Sequence, residues 1–235
     1  MKNYLLIIML FFPGWIFAQE RLIIEASSNT NLADKLSTQM QYIFPEFTDG
    51  QVFFFKASAG TGKLNYNMLI GEMQFLDNDK EVMALEAKNI SAVNINNRSF
   101  FPYKGNEFAE ELLSTGKYKL LVRRKGNVAP FAKKGAYGTS SSTSSITSIT
   151  SYSSVNTGGQ NYDLSVANDV LITVRYFYYL LGENGKYTQI MNTKTFTKLF
   201  PALRTQIETF VKEQKIRFDK EDDLKKLFAF CSGLS

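Results

Sequence analysis

The chain has 235 residues, no histidine and one cysteine, and 27 Lys and Arg against 22 Asp and Glu give it a formal charge of +5. The missing histidine excludes Ser-His-Asp and Cys-His catalysis, HExxH metal sites and His-ligated zinc, and leaves Ser-Lys dyads, carboxylate pairs and oxygen-ligand calcium sites open. A single cysteine excludes an internal disulfide. The positive excess is mild and spread out, which suits a solvated basic surface or contact with anionic lipid, glycan or nucleic acid.

Residues 1–18, "MKNYLLIIMLFFPGWIFA", run from one lysine through an apolar stretch to a small residue, the order of a secretory signal peptide cut before Gln19. The apolar run 4–12 is about half the ~20 residues that a membrane span needs, and Pro13-Gly14 interrupt it. No cysteine follows the cut, so no lipid anchor is expected on the new N-terminus. The mature chain loses only the charge of Lys2 and stands at +4. Export to the periplasm or cell surface is the expected localisation. No second long apolar run follows, which predicts a mature chain that does not span a membrane.

In the mature chain, "QERLIIE" predicts a first strand. Leu32, Leu36, Met40 and Ile43 fall at helical spacing, with Asn29 or Thr30 as a cap and Pro45 as the stop. Then "QVFFFK", "GKLNYNML", "EMQFL", "EVMALE", "ISAVNIN", "SFFPY", "EELL" and "YKLLVRR" follow in close order, separated by short spacers rich in Gly, Asn and Asp. Leu64, Tyr66 and Met68 alternate with Lys63, Asn65 and Asn67, the period of a strand with one buried face. The fold class is therefore α+β: an antiparallel β-meander, as a curled sheet, sandwich or half-barrel, followed by C-terminal helices. The division expected is a β-rich body over 19–138, a Ser/Thr-rich loop over 139–160, and a β-hairpin plus helices over 161–235 packing on the body as one domain.

"KASAGTGKLNYN" resembles the end of a phosphate-binding loop at Gly62-Lys63. Ala57 stands where the first glycine belongs, and Leu64 where a Ser or Thr would ligate magnesium. The alternation after Lys63 predicts a strand, so no helix N-terminus would receive a phosphate. Neither a nucleotide nor any other cofactor is expected, and Gly60 and Gly62 read as residues that let the chain reverse.

Arg123, Arg124, Lys125, Lys133 and Lys134 cluster before the Ser/Thr run 139–157. They read as candidate contacts for an anionic ligand or surface, or as solvated charges at a strand end. Without clear aromatic interleaving, nucleic acid is not the expected ligand. The run itself is of low complexity and uncharged, with Ile146, Ile149, Tyr152 and Val155 spaced to let part of it dock. "YDLSV" and "VLITVRYFYYLL" resume the strands, and "GENGK" turns into "YTQIM". The second of these strands predicts cover on both faces, or else a pocket lined by Tyr176, Tyr178 and Tyr179. Phe196, Leu199, Phe200, Leu203, Ile207, Phe210 and Val211 keep helical spacing, with Pro201 opening a second helix. A last helix carries Leu224, Leu227, Phe228 and Cys231 on one face, Asp219 as its cap and Gly233 as its stop. Cys231 reads as buried packing.

"YIFPEFTDGQV", "LNYNMLIGEMQFLD", "KKGAYG" followed by Ser/Thr, and "FDKEDDLKKLFAFC" together resemble a group of uncharacterised exported proteins of Bacteroidetes-type bacteria. The resemblance covers most of the mature chain and implies an envelope protein. It implies no activity and transfers no functional residue.

Three functions follow as expectations. The first is a non-enzymatic envelope module that engages a partner, an envelope protein, through an exposed patch or sheet edge. The second is a binder of an amphiphilic lipid or anionic glycan within a curled sheet. The third is a histidine-independent hydrolase.

Overall fold

The computed structural model describes the backbone of residues 21–24, 30–31, 38–130, 147–148, 165–166 and 170–233, and the side chains of 40–127 and 171–233. The expected signal peptide, Lys133, Lys134 and most of the Ser/Thr run lie outside the described residues.

The meander begins with β3 (Thr48–Phe54), β4 (Gly60–Asn67), β5 (Glu72–Leu76) and β6 (Val82–Ala84). It continues with β7 (Ile90–Ile95), β8 (Arg98–Pro102), β9 (Phe108–Ser114) and the long β10 (Tyr118–Pro130). Before it lie β1 (Arg21–Ile24), β2 (Thr30–Asn31) and α1 (Thr38–Gln41). After it come β11 (Thr147–Ser148), β12 (Ser165–Val166), the long β13 (Val170–Gly182) and β14 (Tyr187–Gln189). The helices α2 (Thr193–Leu199), α3 (Arg204–Glu213) and α4 (Glu221–Ser232) close the chain. Every strand pair is antiparallel, and the main sheet is open, in the order β1-β13-β10-β9-β8-β7-β3-β4-β5-β6. The expected α+β meander with C-terminal helices is the observed architecture.

Local chemistry sets the reversals. Asp77 accepts from the backbone N–H of Asp79 and of Glu81 while Lys80 takes φ +63°, and Asn96 at φ +52° turns β7 into β8. The sheet then curls. The Phe108 N–H donates to the Gly71 carbonyl and the Gly126 N–H to that of Leu69, both at 2.7 Å, and Glu72 bridges Glu107. The β4–β5 turn is thus tied onto β9 and β10. A Cβ at Gly126 would stand 3.0 Å from the Leu69 carbonyl oxygen, so this close approach needs glycine.

Inside the curl, Leu64, Tyr66, Met73, Ile90, Val93, Ile95, Phe100 and Phe108 form one core. A second core lies between one face of β10 and β13 and the helices. Leu120, Val122, Tyr178 and Leu180 meet Phe196, Ile207, Leu224, Leu227, Phe228 and Cys231 there. Cys231 is buried packing, as expected, and burial pushes its thiol up to about 12.

Several local expectations change. Gly60 and Gly62 do not make the reversal. They lie inside β4, opposite Val52 and Gly50, while residues 55–59 carry the turn. The glycine that matters there is Gly50, whose Cβ would meet Leu64 Cδ1 at 2.7 Å. Thr30 does not cap a helix but pairs with Val166 in a small second sheet; a helical turn is described at α1, and Asn29 and residues 32–37 lie outside the described residues. Asp219 does not cap α4, because Arg217 Nε and Nη2 hold its carboxylate. Asn65 and Asn67, expected on an open face, are buried. Asn65 exchanges bonds with both backbone groups of Phe44, and Asn67 bonds Gln74 and the Leu69 N–H. Part of the Ser/Thr run does dock as a strand, with Thr147–Ser148 pairing Val128 and Asn127.

Candidate functional site

Alternation along β10 decides how the basic run is deployed. Its cross-strand partners are Val122↔Tyr178, Arg123↔Phe177, Arg124↔Tyr176 and Lys125↔Arg175. Successive side chains leave opposite faces of a strand, so Arg124 shares the inner face with Val122 while Arg123 and Lys125 share the outer face. Lys133 and Lys134 lie outside the described residues.

On the inner face Glu110 of β9 accepts from two guanidiniums, Arg98 through Nε and Arg124 through Nη1. The site falls between the two cores, and Glu110 and Arg124 are only 5% and 8% exposed. Burial pulls the Arg124 pKa down, but the Glu110 charge and hydrogen bond more than reverse this and leave it raised. The Tyr66 hydroxyl, pushed up to about 12 by burial, donates to the Phe108 carbonyl at 3.0 Å and accepts from the Arg124 N–H.

On the outer face the same two-to-one ratio recurs in a more open setting. Glu107 accepts from Arg123 Nη1 through one oxygen and from Lys125 Nζ, at 2.8 Å, through the other. Arg123 and Glu107 are 13% and 20% exposed. The Arg123 guanidinium lies between two rings, 4.8 Å from the Phe177 centroid and 5.1 Å from that of Tyr103. Its Nε is buried without a hydrogen-bond partner among the described residues. Burial pulls its pKa down, and the bond and charge of Glu107 reverse this and leave it raised. Tyr103 packs on Tyr179 and Tyr187, and burial pushes both of these phenols up to about 12. Further along the face Lys119 binds Glu111 and lies 4.7 Å from the centre of the Phe101 ring.

Lys125 and Arg175 stand directly opposite across β10 and β13, and like charges so placed repel. Lys125 shares Glu107 with Arg123, while exposed Arg175 has no carboxylate partner among the described residues. Among the described residues, then, two cations share Glu107, and a third, Arg175, stands opposite one of them.

The tyrosines of β13 do not line one pocket. Tyr178 is buried under the helices, Tyr176 lies half-exposed beside Arg124, and Tyr179 is buried on the opposite face. The strand is covered on both faces over Tyr178 and Tyr179, the other arrangement anticipated for it. Among the described residues no cluster of three or more His, Cys, Asp or Glu side chains could hold a metal ion, and no helix is long and apolar enough to cross a membrane.

The sequence reading missed Glu107, Glu110, Arg98 and Arg175. A signal was present for Glu110, since "EELL" and "YKLLVRR" form adjacent strands, and acidic and basic residues on one face of such a pair attract. Glu107 directly precedes β9, and the register of β9 on β10 carries it beside Lys125 and Arg123. No protein family, no curated protein and no solved structure matches the chain.

Proposed function

We propose that this chain acts by binding, as an exported module of the cell envelope that holds an acidic partner protein against the outer face of β10 and β13. One observation carries the reading: Lys125 and Arg175 oppose each other across the strand pair, Glu107 is shared between Arg123 and Lys125, and Arg175 has no carboxylate partner among the described residues. A like-charge pair weakens a sheet unless an anion lies over it. Electrostatic complementarity of this kind gives a partner orientation and a fast encounter. The buried carboxylate Glu110 is already held by two guanidiniums, so it is committed to structure.

A second reading, an anionic glycan or lipid headgroup as the ligand, is favoured by the rings of Tyr103 and Phe177 beside these cations. Native mass spectrometry of residues 19–235 taken gently from the envelope separates the two. A bound mass that dissociates as lipid or glycan supports the second. A bare chain together with a salt-sensitive protein cross-link supports the first, and Lys125→Glu with Arg175→Glu should abolish that cross-link. Persistence of the cross-link in the double variant overturns the proposed face.

A further inference from the structure

Resting on that reading, we propose that Glu107 is a built-in competitor, occupying the place that a carboxylate of an extended acidic peptide takes when the partner binds. Glu107 meets its two cations through separate oxygens, one each, which is how a carboxylate from another chain would meet them. It lies just outside β9, after a turn in which Gly105 takes φ +57°, and its side chain is partly exposed. Withdrawing that side chain leaves the strand pairing of β9 and β10 in place. Arg123 stays pre-oriented by Tyr103 and Phe177, so an incoming anion meets a fixed guanidinium.

The spacing of the cations selects an extended chain. Arg123 and Lys125 are alternate residues of one strand, about 6.7 Å apart along its axis. Carboxylates two residues apart on an extended peptide have the same spacing and the same side. Arg175, across from Lys125, adds a third contact, and Lys119 lies two alternate positions further along the row. A peptide with acidic residues at alternate positions therefore matches the row, whereas one with its acidic residues in a block presents half of them to the wrong side.

The test is titration of the mature chain, at low and high salt, with an acetylated and amidated octapeptide in which glutamate and threonine alternate. Three rival probes accompany it: the block isomer, with all its glutamates ahead of all its threonines, a sulfated oligosaccharide, and vesicles with anionic headgroups. The wild-type chain is expected to bind the alternating peptide more tightly than the block isomer, and less tightly as salt rises. Glu107→Gln should tighten binding about tenfold, and Arg123→Gln should weaken it about tenfold. Glu107→Asp, which draws the carboxylate back while keeping its charge, should tighten binding by less, and it serves if Glu107→Gln fails to fold. Equal or weaker binding in both Glu107 variants, with folded circular dichroism spectra, overturns the exchange. Tighter binding of the vesicles or the oligosaccharide than of either peptide overturns the peptide as ligand. The proposed protein-binding face stands or falls separately, on the envelope cross-link of the Lys125→Glu, Arg175→Glu chain.

Discussion

The two faces of the β9–β10 pair carry the same chemical unit in different surroundings. On each face one glutamate holds two cations. Glu110 is buried between two hydrophobic cores, whereas Glu107 sits at a turn on the face where Lys125 stands opposite Arg175, which has no carboxylate partner among the described residues. Burial makes the Glu110–Arg124 pair of the first unit a structural commitment, because removing either member strands the other's charge away from water, while Arg98 reaches in from a partly exposed position. Partial exposure lets water, or a ligand, stand in for a partner of the second. Composition alone does not separate a structural ion cluster from a binding site; access does.

Glu110→Gln is the strongest way to break this contrast. It leaves two guanidiniums without their counter-charge, and it should cost about 3 kcal/mol or more in urea unfolding. A loss below about 1 kcal/mol would mean that water reaches the inner cluster. Raising the pH probes both faces at once. Burial pushes the phenols of Tyr66, Tyr179 and Tyr187 up to about 12 from an ordinary 10.0, and the Cys231 thiol up to about 12 from 9.0. A folded value above the unfolded one gives stability that is complete below the unfolded value and is lost as pH climbs through the folded value. Urea midpoints should hold to about pH 9, fall slightly to pH 10 as the unfolded thiol ionises, and fall steeply by pH 12. Cys231→Ala should remove the early part and lessen the later fall, and an unchanged early loss would place its cause elsewhere.

Glu107→Gln should cost only about 1 kcal/mol, since its partners remain partly hydrated. If its cost equals that of Glu110→Gln, the distinction between the faces collapses. The smallest effect is expected at the exposed pair Lys63–Asp49, where Lys63→Ala should move stability by less than about 0.5 kcal/mol.

Strand periodicity and turn residues made the meander legible, as did the helical stripes that end at Cys231. Their information is local: Leu64 and Tyr66 alternate with asparagines whatever the rest of the chain does. Burial of Asn65 was not legible, because the segment that covers it, around Phe44, arrives from another part of the chain. Arg123, Arg124 and Lys125 were visible as a run, and the alternation that splits them was implicit once their strand was identified. Of their partners only Glu110 left a signal, in the adjacent strands "EELL" and "YKLLVRR"; which cation each glutamate holds depends on the registers of β8, β9 and β10.

By itself, then, the sequence determined the antiparallel α+β architecture, the absence of histidine chemistry and the basic character of β10. These rest on composition and on short-range periods of 2 and 3.6 residues. Only the tertiary structure decided which cations share a carboxylate, which of them water can reach, and that Lys125 stands opposite Arg175. Those relations depend on strand register and sheet curl, which join residues far apart in the chain, and no local pattern encodes them.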